Sequence, residues 1–239
     1  MKIGGLQKHS LIDFPGHLSC TLFTIGCNFR CPYCHNPELV LPSSFIKKED
    51  QISKTKIYSF LETRKGLLDG VVITGGEPCL QSDLVNFCAD IKKLGFKVKL
   101  DTNGTMPGVL EHLFQDRLVD YVAMDIKSNI PLYSIAAGKD INLKAVQKSI
   151  KLIMQQGDKS SLNYEFRTTC VKIFINEKII KDIGKMIKGA SKYILQSCSS
   201  KKNLLNPSFF QKPDSFFFKK ELFYLRDIAE KYVKKCELR

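Results

Sequence analysis

A regular alternation of short apolar, β-rich runs with helical patterns constrains this chain more than any other feature. Strand-like runs occupy 19–25, 70–74, 97–102, 121–126, 165–175 and 193–196. Helical patterns fill about 49–64, 82–94, 107–115, 142–156, 177–188 and 214–236. The second helix shows the reasoning: Ser82 can cap it, and Leu84, Val85, Cys88, Ile91 and Leu94 form one apolar stripe. Asn103-Gly104 reads as a turn, and Gly157 as a helix end. Six strands alternating with six helices imply βαβ units on a parallel sheet, which right-handed crossovers curl into a barrel or an open doubly wound sheet. At 239 residues the chain can build one sizeable core but not two ordinary domains with linkers. The expectation is a single domain over 1–239, with a core at about 15–196 and a closing loop and helix over 197–239. Loop 197–213 reads as the mobile segment.

Composition narrows the function class. The hydrophobic share of 44% and charged share of 26% exclude wholesale disorder. No apolar run reaches the roughly 18 residues of a membrane helix, and the opening residues lack the apolar region of a secretory signal. The expectation is a soluble, cytoplasmic protein with no membrane partner. Charge is lopsided: residues 1–138 carry +1 and residues 139–239 carry +12 of the total +13. A basic half can attract an acidic partner. These lysines are dispersed through helical patterns rather than gathered in a block, so no nucleic-acid partner is expected.

Nine cysteines make no disulfide framework. Cys20, Cys79, Cys88, Cys170, Cys198 and Cys236 are scattered, mostly in apolar runs, and read as buried free thiols. Cys27, Cys31 and Cys34 fall within eight residues as C-x₃-C-x₂-C, directly after the first strand. Three clustered thiolates can hold a [4Fe–4S] cube with one iron left open, or a zinc ion with His35 as fourth ligand. In α/β folds functional groups gather at the carboxyl ends of strands. Those places here hold the cysteines, Gly75-Gly76-Glu77-Pro78, Asp101-Thr102-Asn103, Asp125-Ile126-Lys127, Arg167 and Gln196. Lys127, two residues after Asp125, shares its strand face.

These motifs resemble the radical S-adenosylmethionine (SAM) superfamily: C-x₃-C-x₂-C with an aromatic before the third cysteine, then GGEP after the next strand. HSLIDFPG (9–16), TIGCNFRCPYCHNP (24–37), DTNG (101–104) and MDIK (124–127) are similar to glycyl-radical-enzyme activating proteins, above all the activases of anaerobic ribonucleoside-triphosphate reductase. The resemblance covers roughly 5–200. It fails after Gln196, where Ser197-Cys198-Ser199-Ser200 replaces an expected basic-aromatic stretch.

The resemblance implies an incomplete (β/α)6 TIM-like barrel with parallel strands. It implies a [4Fe–4S] cluster on Cys27, Cys31 and Cys34, and SAM contacted by Gly75, Gly76, Glu77 and Pro78, with Glu77 near the ammonium. It places Asp101 and Asp125 near SAM around a monovalent cation, with Lys127 facing SAM. Asn103 is a SAM contact or a turn, Arg167 a contact to the SAM carboxylate or a salt bridge, Gln196 a neighbour of the adenosine. His35 and Asn36 would bond adenine or cluster sulfur. Asp13, Pro15 and Gly16 would contact the partner's glycine loop, in a groove beside Asp125 and Lys127 partly covered by 197–213. Expected partners are a glycyl-radical enzyme, anaerobic ribonucleotide reductase first, and a flavodoxin or ferredoxin-type electron donor. The rival readings are an activase of another glycyl-radical enzyme, a small-molecule radical SAM enzyme, and a non-catalytic iron–sulfur or zinc protein. The last needs a fourth ligand and leaves GGEP, DTNG and MDIK unexplained.

Overall fold

A computed structural model of the protein describes residues 1–41, 47–160, 162–198, 204–210 and 214–239. One eight-stranded sheet runs in chain order: β1 (Ile3–Ser10), β2 (Ser19–Thr24), β3 (Gly70–Gly75), β4 (Lys97–Thr102), β5 (Tyr121–Asp125), β6 (Asn163–Cys170), β7 (Tyr193–Ser197) and β8 (Cys236–Leu238). β1 pairs antiparallel with β2; every later pairing is parallel. Parallel neighbours need crossovers. Helices supply them: α1 (Pro37–Val40) and α2 (Lys54–Glu62), α3 (Leu84–Lys93), α4 (Pro107–Gln115), α5 (Tyr133–Ala137) and α6 (Leu143–Lys159), α7 (Glu177–Met186) and α8 (Lys219–Ala229). Among the described residues no helix is long and apolar enough to cross a membrane.

The strands have two unlike faces. Val98, Leu100, Val122, Met124 and Phe166 join Ile91, Leu113, Ile150 and Ile183 of the helices in one apolar core. Each such side chain stabilises the fold by about 1.5–3 kcal/mol relative to exposure. The alternate positions of the same strands carry Lys99, Asp101, Asp125, Glu165 and Arg167. Phe14, Val72, Tyr121 and Ala123 form an apolar cluster apart from the main core, with Phe14 reaching in from the loop before β2. Asp13 and Pro15 of that loop line a cavity together with Lys99 of β4, Arg167 of β6, Gln196 of β7 and Arg239 after β8. Elements from both ends of the strand order share a cavity only if the sheet curls. The architecture is an incomplete β/α barrel with a charged interior.

The sequence-based expectations need correction at several places. Among the described residues there are eight strands rather than six, because β1 and β8 extend the two edges. The strand expected over 165–175 ends at Cys170; Val171, Phe174 and Ile175 are apolar because they are buried in the following turn. The closing helix spans Lys219–Ala229, and the chain then returns as β8 beside β7. The helix expected over about 49–64 is shorter: α2 spans Lys54–Glu62 and is capped by Ser53. No side-chain bond caps α3, whose preceding residue is Asp83. Gly157 does not end α6, which runs on to Lys159. A side chain there would meet the Tyr164 ring at 2.2 Å, so this glycine makes room for packing. The short helix α5 had no sequence signal. Of the 197–213 loop, residues 199–203 and 211–213 lie outside the described residues. All six scattered cysteines are buried.

Glu165 is fully buried and accepts from Tyr121 Oη (2.8 Å) and Arg239 Nη1 (3.1 Å). Removing one partner of a buried pair costs several kcal/mol, less where the partner is partly hydrated. The Arg239 side chain is 39% exposed. Arg239→Ala should therefore cost about 2 kcal/mol at pH 7, read as a lower urea midpoint. An unchanged midpoint would mean that water already satisfies Glu165.

Candidate active site

Cys27, Cys31 and Cys34 lie on the loop leaving β2 and face one cavity at the carboxyl ends of the strands. That loop has little secondary structure of its own and is tied down from several sides. Glu77 N donates to Gly26 O (2.8 Å) and Arg30 N to Ala137 O (2.7 Å). The Asn103 amide donates to Asn28 Oδ1 (2.8 Å), and Asn28 in turn donates to Thr105 Oγ1 (2.9 Å). Arg30 Nη1 donates to the Cys27 and Phe29 carbonyls, both at 2.7 Å. From the far side, Leu205 N donates to Cys34 O and Asn206 N to Pro32 O, each at 3.0 Å.

The GGEP turn explains why two glycines follow β3. Gly75 has φ +109°, and a Cβ there would sit 2.5 Å from Thr24 N. A Cβ on Gly76 would sit 2.1 Å from Gly26 O. Backbone must therefore touch the entry to the cysteine loop directly. Glu77 is almost completely buried, and its oxygens accept from Cys79 N (3.0 Å), Thr102 Oγ1 (2.8 Å) and Asn103 N (2.7 Å). Burial pushes its carboxyl up, against the pull of these donors. It staples the end of β3 to the end of β4. Glu77 also lines the cysteine cavity. Pro78 starts a buried turn and does not line that cavity.

Charged side chains cross the barrel beneath. Arg167 donates through Nε to Asp125 Oδ1 (2.8 Å) and through Nη1 to Asp101 Oδ2 (3.0 Å). Lys99 pairs with Asp101, and Lys127 Nζ with Asp125 Oδ2 (2.9 Å). Thr74 Oγ1 also donates to Asp101 Oδ2 (3.1 Å). Burial pushes both aspartates up, but Arg167 with Lys99, and Arg167 with Lys127, hold them below the usual carboxylate range. Burial pulls Lys127 down, and the Asp125 carboxylate more than reverses it.

The cavity thus gathers the three cysteines, Gly75, Gly76, Glu77, Asp101, Asn103, Asp125, Lys127, Arg167, Gln196, His35 and Asn36. Arg167 is a double salt bridge. Both side-chain ends of Asn103 are engaged by the loop, with Oδ1 accepting from Thr105 N and Oγ1. His35 Nε2 lies 3.5 Å from Cys198 Sγ. Asp13, Pro15 and Gly16 lie elsewhere, before β2 and so at its opposite end from Cys27. Asp13 accepts from Thr21 Oγ1 (3.1 Å). Ile12, Asp13 and Pro15 reach a second cavity that shares Asp101, Arg167 and Gln196 with the first, but not Asp125 or Lys127. Sequence reading missed Lys99, Thr74 and Thr169. Lys99 had a signal: it precedes Asp101 by two residues, the same-face spacing read for Asp125 and Lys127.

The donor set fits an iron–sulfur cluster. Burial pushes the Cys27 thiol up to about 12 and Cys31 to about 11. Both are neutral unless a cationic centre stabilises the thiolate. The Tyr33 hydroxyl, in the cavity wall, is the one buried side-chain polar atom without a hydrogen-bond partner among the described residues. An unmet buried hydroxyl costs about 1–3 kcal/mol, which points to a group that this cavity accepts.

Residues 21–166 match the family model of the Radical SAM superfamily. The chain belongs to the radical SAM superfamily. A Methanocaldococcus jannaschii protein, provisionally named a glycyl-radical enzyme activating enzyme, is 33% identical over 99% of this chain and 95% of its own length. The pyruvate formate-lyase-activating enzyme of Clostridium pasteurianum is 30% identical over 53% of this chain and 52% of its own. A radical SAM methyltransferase of Sphaerobacter thermophilus shares the fold, with TM-score 0.69 and 11% identity over 95% of this chain and 67% of that one. This radical SAM protein is an enzyme of the glycyl-radical activating group. A [4Fe–4S] cluster and SAM are its family's cofactors.

Arg167 yields a pH-dependent prediction. Asp101 and Asp125 have lowered values in the folded state, so their stabilisation is present above about pH 4 and lost as pH falls through those values. Arg167→Met leaves the two buried carboxylates facing each other and should cost about 3 kcal/mol at pH 7. That loss should narrow at pH 5, where the freed carboxylates take up protons. Denaturation at both pH values checks it; an equal loss at each would mean that packing, not charge, is what Arg167 supplies.

Proposed function

We propose that this protein is an activase that generates a glycyl radical on a partner enzyme, and that the partner is anaerobic ribonucleoside-triphosphate reductase. The observation that carries the reading is one cavity joining three cysteines, the GGEP backbone and the charged barrel floor. The partner assignment rests on HSLIDFPG, the extended cysteine motif, DTNG and MDIK.

In this reading Cys27, Cys31 and Cys34 carry the cluster. With SAM bound there, the two cofactors would supply reductive cleavage of the sulfonium and, through it, removal of a hydrogen atom from the partner's glycine. The protein contributes placement and exclusion of water. Glu77 takes the SAM ammonium, while Gly75 and Gly76 let backbone approach the methionine. Arg167 and Lys127 offset the SAM carboxylate, and Asp101 with Asp125 can hold a monovalent cation beside it. Gln196 and His35 border the adenosine. Asp13, Pro15 and Gly16 meet the partner's glycine loop through the second cavity, which reaches Asp101 and Arg167 from the other end of the barrel.

Anaerobic reconstitution should load about one [4Fe–4S] cluster per chain. Mixing with the reductase, SAM and a strong reductant should give a glycyl doublet by electron paramagnetic resonance. A doublet only with a different glycyl-radical enzyme would reassign the partner. Replacing all three cysteines by alanine should abolish iron binding, and full iron content in that variant would overturn the cluster assignment. Glu77→Ala should keep iron but weaken SAM binding by about tenfold or more, the equivalent of one charge-assisted hydrogen bond.

A further inference from the structure

Packing accounts for the ring of Tyr33 but not for its hydroxyl. The residue sits between Cys31 and Cys34, and its buried ring lies 5.7 Å from that of Phe174, itself buried. A turn in which Cys34 N donates to Cys31 O (3.0 Å) fixes the backbone that carries it. Phenylalanine would fill this space equally well. The added oxygen works against the free protein: it is buried and, among the described residues, has no hydrogen-bond partner. Buried hydroxyls nearly always have one.

The surroundings explain the missing partner. Burial pushes the hydroxyl well above its usual range, and the groups whose charges act on it next are Cys31, Lys127, Asp125 and Tyr133. Asp125 is the natural acceptor, yet its oxygens are all engaged elsewhere. Oδ1 accepts from Arg167 Nε (2.8 Å), Oδ2 from Lys127 Nζ (2.9 Å) and the main-chain O from Tyr133 Oη (3.4 Å). The Lys127 ammonium has no acceptor to offer. Cys31, as a neutral thiol, is a weak acceptor, and the hydroxyl makes no bond to it. A cysteine that ligates a metal centre is a thiolate, and the sulfurs around it are anionic acceptors. The charged network thus takes up every good acceptor except those that the cysteines acquire on loading.

We propose that the Tyr33 hydroxyl donates to a sulfur of the cluster on its Cys31 side and thereby raises the cluster's reduction potential. The inference rests on the reading that places the cluster on Cys27, Cys31 and Cys34. Reduction from 2+ to 1+ adds one negative charge, so a donor aimed at sulfur stabilises the reduced form more than the oxidised one. The hydroxyl keeps its proton throughout, and no bond in this chain is made or broken. One oxygen atom then acts with opposite sign in the two states: it opposes folding of the free chain and favours the reduced, loaded one.

Tyr33→Phe removes the oxygen and keeps the ring. In the cluster-free chain it should raise the urea midpoint by about 0.5 M, because an unmet buried group is lost. In the reconstituted enzyme without SAM, iron content should be unchanged and the equilibrium for reduction should fall about tenfold, ~59 mV for a one-electron couple, read by electron paramagnetic resonance at a series of potentials. Proton hyperfine spectra of the reduced cluster, compared in H2O and D2O, should lose one exchangeable coupling in the variant. A midpoint that stays or falls in the cluster-free variant shows that the hydroxyl is already satisfied and overturns the inference. An unchanged potential with unchanged proton couplings overturns the donation to sulfur. A shift that appears only after SAM is added assigns the hydroxyl to SAM and overturns the choice of acceptor. If the wild-type chain loads no iron, the cluster placement fails by itself, whereas the urea comparison still reports on the hydroxyl.

Discussion

Arg167 holds together two carboxylates that would otherwise repel each other inside the barrel. Its guanidinium reaches Asp125 through Nε and Asp101 through Nη1, and so bridges side chains from β4, β5 and β6. The fork geometry of Arg suits this; a lysine could meet both partners only as a point charge. Lys99 and Lys127 close the outer ends of the network. A buried ion network is poor evidence for stability, since desolvation opposes the Coulomb gain. Its consequence here is architectural. Apolar residues would fill the interior as they fill a closed barrel, whereas paired charges leave it polar and lined with fixed dipoles, next to the cysteine cavity.

The cysteine loop depends on its surroundings for its shape. Gly26 and Glu77, Asn28 and Asn103, Arg30 and Ala137, and Cys34 and Leu205 each tie it to a different element. Glu77 joins two of these supports, because Asn103 N bonds its carboxylate while the Asn103 amide bonds Asn28. The ends of β3 and β4 and the cysteine loop are therefore one hydrogen-bonded unit. A substitution in the GGEP turn acts on cysteine geometry as well as on any ligand it touches. That coupling is why retained iron content and SAM affinity have to be read together in Glu77→Ala.

Much of this was legible in sequence, and the exceptions have physical causes. The cysteine spacing and the strand-end rule together brought the principal site residues to one cavity. The charged interior was also written in the chain: KVKLDT, YVAMD and EFRTT alternate apolar with polar, and the polar set points inward. What could not be read was which charges pair, since Asp101 and Arg167 are 66 residues apart. β1 escaped because IGGLQKHS has two glycines and few β-branched residues, and its pairing is decided by β2. β8 is three residues long and hidden behind a helical pattern. The run after Cys170 looked like strand because burial in a turn selects the same apolar residues as burial in a sheet.

The loop before β2 matters most for how a partner could reach the site. Its sequence neighbours suggested a place beside Asp125 and Lys127, yet chain direction requires the opposite: a segment preceding β2 lies at the end of the strand away from the cysteines. The two positions are reconciled by the interior. Phe14 covers the inner face against Val72, Tyr121 and Ala123, while Asp13 and Pro15 border a cavity whose far wall is Arg239 and whose floor is Asp101, Arg167 and Gln196. Those three floor residues also line the cysteine cavity. The charged network is thus the shared wall of two openings. Ile12, more than three-quarters exposed, stands at the second of them, where an extended backbone entering from the side would meet an apolar lip before it meets charge. A closed barrel filled by its own side chains would offer no such approach; the gap between β1 and β8 and the charge-lined interior together provide it.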